Sequence, residues 1–232
     1  MNKKDIMIIL GTAHLTTTPG KRSPDGRFRE ALYSRERCRG IAAKLREYGY
    51  SVAIDYDDEK LPKTMQTPSV KLEQQRELGL RVNLVNQLCK KFYCIYVSIH
   101  NDAIGDDGKW HTSGGFSVFT SPGVTKSDKL AECLYDAAEK NLTLYKQRFY
   151  DIKKKGGYGE KQQPIRTDKS DGDRDFESKL YVLTKTDCTA VLTENLFQDN
   201  KHDVDFLLSD EGIHAIERLH VEGIISYLNT LK

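Results

Sequence analysis

Two histidines and a glutamate stand at the ends of short apolar runs. His14 lies shortly after the run at residues 6–10, His100 directly follows the run at 96–99, and Glu194 follows a third run. Short apolar runs are typical of buried strands, and the carboxyl ends of parallel strands meet at one edge of a sheet. If the three strands are parallel neighbours, these side chains converge.

Glu30 is a fourth candidate, because it opens the first predicted helix after a Gly/Pro-rich loop at residues 16–26. A catalytic zinc site takes three protein ligands, often two histidines and a carboxylate, and leaves one position open. Zinc activates water and polarises a carbonyl, while a nearby carboxylate can move the proton. His14, Glu30 and His100 as ligands, with Glu194 as acid/base, would suit amide hydrolysis. Each residue alone could equally be a helix cap or a surface group.

The elements that must position these residues alternate along the chain. Apolar runs predict strands, and apolar residues at intervals of three to four predict helices, which together indicate a layered α/β fold. The predicted strands cover residues 6–10, 51–55, 92–99, 115–119, 180–184 and 190–193, and the predicted helices cover 28–48, 66–90, 126–145 and 211–228.

Residues 153–175 interrupt this alternation, since they contain almost no apolar side chain. A segment of this length without secondary structure is usually a surface loop or has a function of its own. Here the functional alternative is a flap or wall beside a substrate groove. No repeat or linker divides the chain, and we therefore expect one domain over residues 1–232.

The composition argues against several classes of protein. A net charge of +2 gives no reason to expect a nucleic-acid partner. The apolar run at 6–10 is too short for a signal peptide or a membrane span, so we expect neither export signal nor membrane insertion. The five cysteines are odd in number and none stand as Cys-x-x-Cys, which predicts reduced core residues. We expect a monomer.

At the candidate residues the sequence resembles the zinc-dependent N-acetylmuramoyl-L-alanine amidases of type 3. The first shared motif is a strand, a histidine, a Pro-Gly loop and a glutamate, here IMIILGTAH, TTTPG and FREALYSRE. The family usually has Gly-His-Gly directly after the strand, whereas His14 comes three residues after Gly11. Glu30 takes the place of the ligand glutamate; Glu36 is the alternative if the register is shifted by six, but the spacing from the Pro-Gly loop favours Glu30.

The other shared motifs follow in the family's order. LRVNLVN, YVSIHNDA and GGFSVF resemble the motif that carries the second zinc histidine, and place Arg81 and His100 at family positions. TAVLTENLFQDN resembles the strand-Glu-x-x-Phe-x-x-Asn motif, in which the glutamate, here Glu194, is catalytic. The resemblance covers nearly the whole chain, and the 153–175 segment is its least similar part.

This resemblance implies a three-layer αβα fold with a mixed, about six-stranded sheet flanked by helices. It implies one zinc ion and hydrolysis of the amide bond between the N-acetylmuramoyl lactyl group and L-alanine, with peptidoglycan as the partner. The enzyme would act on the bacterial cell wall, after release from the cytoplasm as in phage lysis or after removal of a signal. The alternatives are a zinc peptidase cutting within the stem peptide and a metal-free wall-binding relative.

Four further residues are candidates for substrate binding. Arg81 could anchor a substrate carboxylate or hold the rim of the site, and an ordinary ion pair is the alternative. Asn101, together with Asp102, could orient a metal ligand. Trp110 and His111 could form a groove wall that stacks on sugar, or could lie in a solvated loop.

Overall fold

The computed structural model describes residues 2–105 and 107–231, and a six-stranded sheet lies at its centre. The strands are β1 (Ile6–Thr12), β2 (Ser51–Ile54), β3 (Tyr93–Asp102), β4 (Ser117–Thr120), β5 (Phe176–Glu177) and β6 (Thr189–Phe197). Their order across the sheet is β2-β1-β3-β6-β4-β5. The first four in this order are parallel, and β4 is antiparallel to β6 but parallel to β5. The predicted mixed sheet is confirmed.

Helices cover both faces of the sheet, which confirms the three-layer αβα architecture. They are α1 (Glu30–Glu47), α2 (Val70–Cys89), α3 (Lys126–Asn141), α4 (Thr143–Lys153), α5 (Tyr181–Thr184), α6 (Lys201–Leu207) and α7 (Asp210–Thr230). The larger apolar core lies between the sheet and α1, α3 and α7. The smaller core lies between the opposite face and α2 and α5.

The alternation of side chains along β3 decides which way the candidate residues point. Ile95, Val97 and Ile99 belong to the larger core, whereas Cys94 and Tyr96 belong to the core under α2. Because successive side chains of a strand point to opposite faces, position 100 continues the series that faces α2. A central parallel strand buried on both faces reads as a continuous apolar run, as this one does.

The prediction of a strand over residues 180–184 is wrong, because the chain forms the short helix α5 there. The backbone N–H groups of Leu183 and Thr184 both donate to the Leu180 carbonyl, at 3.0 Å each. Val182 and Leu183 pack into the core under α2, so their apolar character is explained by burial and not by pairing in the sheet. A run this short fits either structure. The sixth strand is β5 instead.

Other boundaries differ by smaller amounts. The predicted helix over 66–90 begins only at Val70, after Pro68, because Ser69 caps it by accepting a hydrogen bond from Leu72 N. The predicted helix over 126–145 is two helices, α3 and α4, and α6 was not predicted. Residues 154–175 contain no helix or strand, and one isolated bridge joins Ile165 to Phe116.

Two observations bear on the chemistry of the chain as a whole. All five cysteines are free thiols. Across residues 2–105 and 107–231, none of the helices combines the length and the apolar character that crossing a bilayer requires.

Candidate active site

His14, Glu30 and His100 meet at the carboxyl ends of β1 and β3, beside the start of α1. One potential ligand atom from each lies within 4.8 Å of those of the other two. His14 Nε2 is 3.6 Å and His100 Nδ1 is 3.1 Å from the same oxygen, Glu30 Oε1. The two imidazole rings are nearly perpendicular, with centroids 5.2 Å apart. The structure thus brings together the three residues that the sequence suggested as ligands.

Glu30 is the centre of this group and is fully buried. Its Oε1 accepts a hydrogen bond from Asn101 N at 3.2 Å, and its Oε2 accepts one from Gln198 Nε2 at 3.2 Å. Burial alone would raise the pKa of the Glu30 carboxyl, but the charge that His14 carries at low pH and a hydrogen bond from His100 lower it to about 2. Glu30 is therefore an ionised, fixed carboxylate. Glu36, the alternative in the sequence, has an exposed side chain.

His14 lies in a sharp turn after β1, with a φ of 44°. A non-glycine residue in this region costs about 1–3 kcal/mol, which the surroundings must offset. Ser34 Oγ accepts from Ala13 N at 2.8 Å, and Arg35 Nη1 donates to Ala13 O at 3.1 Å. Burial, above all, lowers the pKa of His14 to about 3. The imidazole is therefore neutral and can offer a lone pair to a metal.

Arg81 is buried, and its guanidinium contacts the carboxyl end of β1. Its Nη1 donates to Asp55 Oδ1 at 2.8 Å and to Thr12 Oγ1 at 2.7 Å, and its Nε donates to Glu77 at 3.0 Å. A weaker contact of 3.4 Å reaches the carbonyl of His14. The guanidinium is thus engaged by protein groups, an arrangement that fixes the rim of the site.

Glu194 lies beside His100, because the register of β3 and β6 pairs these two residues. Both side chains face α2. The Oε2 atom of Glu194 is buried and has no hydrogen-bond partner in the described residues. Burial, and next the carboxylates of Asp102 and Glu30, raise the pKa of Glu194 well above its usual range. This carboxyl is thus placed to hold and release a proton.

One cavity of about 290 Å³ is lined by His14, His100 and Glu194, together with residues at the start of α5. The other lining residues are Thr12, Lys21, Gln74, Glu77, Leu78, Arg81, Ser98, Leu180, Tyr181, Val182 and Leu192. A larger cavity of about 1000 Å³ lies at the opposite, amino ends of β3 and β6. Its lining has no histidine or glutamate, so the smaller cavity is the better candidate for chemistry.

Two cationic residues near the site were missed by the sequence analysis. Lys21 lines the cavity, and its charge lowers the pKa of Glu194, although burial dominates. Arg166 comes from the polar segment, donates to Asp102 Oδ2 at 2.7 Å and lies 4.8 Å from the Phe197 ring. The only signals in the sequence were the position of Lys21 in the Gly/Pro-rich loop and of Arg166 in the unusual polar segment.

The remaining candidates lie around the cavity and do not line it. Asn101 positions Glu30 through its backbone N–H and donates its side-chain amide to the carbonyl of Asn195. Trp110 is partly buried against the larger core. His111 Nε2 lies 3.0 Å from Asp107 Oδ1. The structure does not bring Trp110 or His111 together with the four central residues.

The ligand group fits zinc. Four-coordinate zinc with bonds of about 2.0–2.1 Å spaces its ligand atoms roughly 3.4 Å apart. The distances of 3.6 Å and 3.1 Å between the histidine nitrogens and Glu30 Oε1 are close to this spacing. Two neutral imidazoles and one carboxylate are also a common donor set for catalytic zinc. His14, Glu30 and His100 would therefore hold the ion at the floor of the cavity.

The chain has a three-layer α/β fold with a group of potential metal ligands at the carboxyl edge of its sheet, and comparison with known proteins places the chain more closely. The N-acetylmuramoyl-L-alanine amidase family model matches residues 6–226, and the chain belongs to this family.

Two solved amidase structures share this fold, and a phage endolysin shares a stretch of sequence. The CwlD amidase of Clostridioides difficile, solved in complex with the GerS lipoprotein, superposes with a TM-score of 0.70 at 18% identity, covering 97% of this chain and 98% of that one. The Ami1 amidase of Mycobacterium smegmatis gives 0.66 at 18% identity, over 99% and 100% of the two chains. An endolysin of Bacillus phage SPP1 is 45% identical over 53 residues, which is 23% of this chain and only 20% of the endolysin.

Proposed function

We propose that this chain is a zinc-dependent amidase that hydrolyses the bond between the N-acetylmuramoyl lactyl group and L-alanine of the peptidoglycan stem peptide. The observation that carries the proposal is the convergence of His14, Glu30 and His100, with Glu194 lining the same cavity as both histidines, in a member of the amidase family. We propose further that residues 1–232 act as a single catalytic domain and as a monomer.

The roles of the four residues follow from their surroundings. His14, Glu30 and His100 would hold the zinc ion, which when bound supplies a Lewis acid that polarises the amide carbonyl and favours ionisation of water. Glu194 would be ionised beside a bound cation, which opposes the rise in its pKa, and would then accept the proton of the attacking water on its free oxygen. It then delivers the proton to the leaving nitrogen of alanine, so that one carboxyl acts as base and then as acid.

The surrounding residues divide into positioning and substrate-contacting groups. Arg81 and Asn101 support the ligands from behind, through the β1 turn and Glu30 respectively. Lys21 lies in the cavity lining, where a cation can attract a carboxylate of the stem peptide. Trp110 and His111 are proposed to contact the glycan farther along the surface, an assignment that a rise in KM of their alanine variants would support.

The place of action proposed is the bacterial cell wall. The similarity to a phage endolysin over 53 residues supports this, as does membership of an amidase family. Delivery by release from the cytoplasm during phage lysis is the route that this similarity favours.

A digest of purified peptidoglycan tests the reaction. Amidase activity releases new alanine amino termini and no new reducing ends. A peptidase acting within the stem would expose other amino termini, and a metal-free wall-binding protein would expose none. Metal analysis of the purified chain should find about one zinc per chain; removal of zinc by a chelator should abolish the release of alanine termini, and addition of zinc should restore it.

A further inference from the structure

Three aspartates from two parts of the chain meet near the β4–β5 edge of the sheet. Asp128 lies in the first turn of α3, whereas Asp173 and Asp175 come just before β5. One carboxylate oxygen of each lies within 4.8 Å of an oxygen of both others. Like charges this close repel, so the arrangement needs a compensating group.

The hydrogen bonding of Asp173 and Asp175 is incomplete, whereas both oxygens of Asp128 accept from Thr125, one from its backbone N at 2.7 Å and one from its Oγ1 at 2.9 Å. Asp175 is only 1% exposed, and its Oδ1 has no hydrogen-bond partner anywhere in residues 2–105 and 107–231. Its Oδ2 accepts from Thr120 Oγ1, which fixes the carboxylate in place. The Oδ1 atom of Asp173 is also buried and without a partner in the same part of the chain. A buried carboxylate oxygen without a donor is unfavourable, and a ligand is therefore expected there.

Among the residues that the structure describes, the basic side chain nearest in sequence does not supply the missing charge. Arg174, which lies between the two aspartates in sequence, instead pairs with Glu132 at 2.7 Å and Asp136 at 2.6 Å. In the described part of the chain, none of the three carboxylates forms an ion pair with a lysine or arginine. Burial, above all, and the charge of Asp173 raise the pKa of Asp175 to about 7. Either protons or a cation must therefore complete the cluster.

We propose that Asp128, Asp173 and Asp175 bind a calcium ion, distinct from the zinc site. Calcium takes carboxylate, carbonyl and water oxygens at about 2.3–2.6 Å in flexible arrangements, whereas magnesium requires a near-ideal octahedron. The donor set here is oxygen only, in contrast to the two imidazoles of the zinc site. Backbone carbonyls and water would complete the coordination.

The ion would fasten the polar segment at residues 154–175 to α3. The earlier part of this segment is held by Arg166, which pairs with Asp102 and whose N–H donates to Phe116 O at 2.8 Å. The part around Asp173 has no comparable anchor other than the aspartate cluster and the contacts of Arg174. Calcium would thus order the segment that borders the active site.

Thermal unfolding of the zinc-loaded protein tests the proposal. With zinc held constant, 10 mM calcium should raise the Tm by roughly 5 °C, since a ligand that binds only the folded state stabilises it. The Asp173→Asn variant should fold normally and show no shift, because its amide can still accept a hydrogen bond from the Asp175 backbone and can donate one to the Asp175 carboxylate. Asp171→Asn is the matched control: it makes the same charge change on an exposed neighbour and should keep the shift.

Terbium luminescence gives an independent measurement, because Tb³⁺ replaces Ca²⁺ and Tyr135 lies close enough to sense the charge of Asp175. Excitation of tyrosine should give terbium emission that calcium displaces in the wild-type protein and that Asp173→Asn lacks. The proposal would be overturned if calcium left the Tm of the wild-type protein unchanged and if, without calcium, Asp173→Asn had a higher Tm than the wild type. That result would show a cluster that only shares protons. Equal terbium emission from Asp173→Asn and wild type would overturn it too.

Discussion

The two glutamates of the active site are held in opposite ways. Both oxygens of Glu30 accept hydrogen bonds, and its pKa is lowered to about 2. Glu194 has a buried oxygen without a hydrogen-bond partner in the described part of the chain, and its pKa is raised. The same side chain is thus a fixed anion at the start of α1 and a carboxyl that holds its proton on β6. The difference teaches that surroundings, not residue type, suit one glutamate to the proposed role of ligand and the other to the proposed role of acid/base.

The largest effect on metal binding and on turnover is expected from a substitution of His14. His14→Ala removes one of the three proposed ligands, and the zinc content should fall well below one per chain while turnover drops below detection. Metal analysis and the release of alanine termini measure both. Glu36→Gln is the control, because it alters an exposed glutamate of the same helix as Glu30 and should leave both quantities unchanged. A His14→Ala protein with full zinc content would move the metal site elsewhere.

The Glu194→Gln variant tests the proposed proton transfer separately from metal binding. This change keeps the shape of the side chain but removes its ability to accept a proton, so turnover should fall by about 10²–10⁴-fold. The zinc content should stay at about one per chain. Near-normal turnover would show that Glu194 is not the acid/base, and loss of zinc would show that it belongs with the ligands.

The Arg81→Met variant tests how much the buried hydrogen-bond network of Arg81, at the end of β1, stabilises the fold. This substitution leaves Asp55 and Glu77 buried without their cation, which should lower the free energy of unfolding by about 3–5 kcal/mol. Chemical denaturation measures it. Arg39→Met removes an exposed pair with Asp57 and should cost at most about 1 kcal/mol. Equal losses in the two variants would mean that the network around Arg81 contributes no more than a surface ion pair.

A buried histidine, His220, contacts the strand that carries Glu194, because its Nε2 lies 2.9 Å from Thr193 Oγ1. Burial lowers the pKa of His220 to about 4, whereas an unfolded histidine titrates near 6.5. Between these values the unfolded state binds more protons, so stability falls as the pH is lowered from about 6.5 to about 4. The loss attributable to His220 should approach about 3 kcal/mol at the acid end.

Unfolding measured across this pH range in His220→Gln isolates the effect, because the variant should show a correspondingly shallower decline. His214→Gln changes an exposed histidine of the same helix and should follow the wild type. A His220→Gln protein with an unchanged pH dependence would assign the acid sensitivity to other groups.

Much of the fold and of the candidate site could be predicted from the sequence, for local reasons. Because a central parallel strand is buried on both faces, its sequence is a continuous run of apolar residues. A polar residue at its carboxyl end is therefore easy to recognise. His100 and Glu194 were visible in this way. The helix α5 (Tyr181–Thr184) could not be predicted, since the four apolar residues at 180–183 have no measurable period and only packing under α2 decides their conformation.

The sequence by itself determined the alternation of strands and helices and the residue types that could bind a metal, because both depend on patterns between near neighbours. Only the tertiary structure decided that Arg81 supports the turn at His14, that Gln198 bonds Glu30 while Glu194 stays free, and that three aspartates share one buried corner. These depend on strand register and on contacts between residues far apart in the chain. The pKa of a carboxyl depends on the burial and charges that such contacts create.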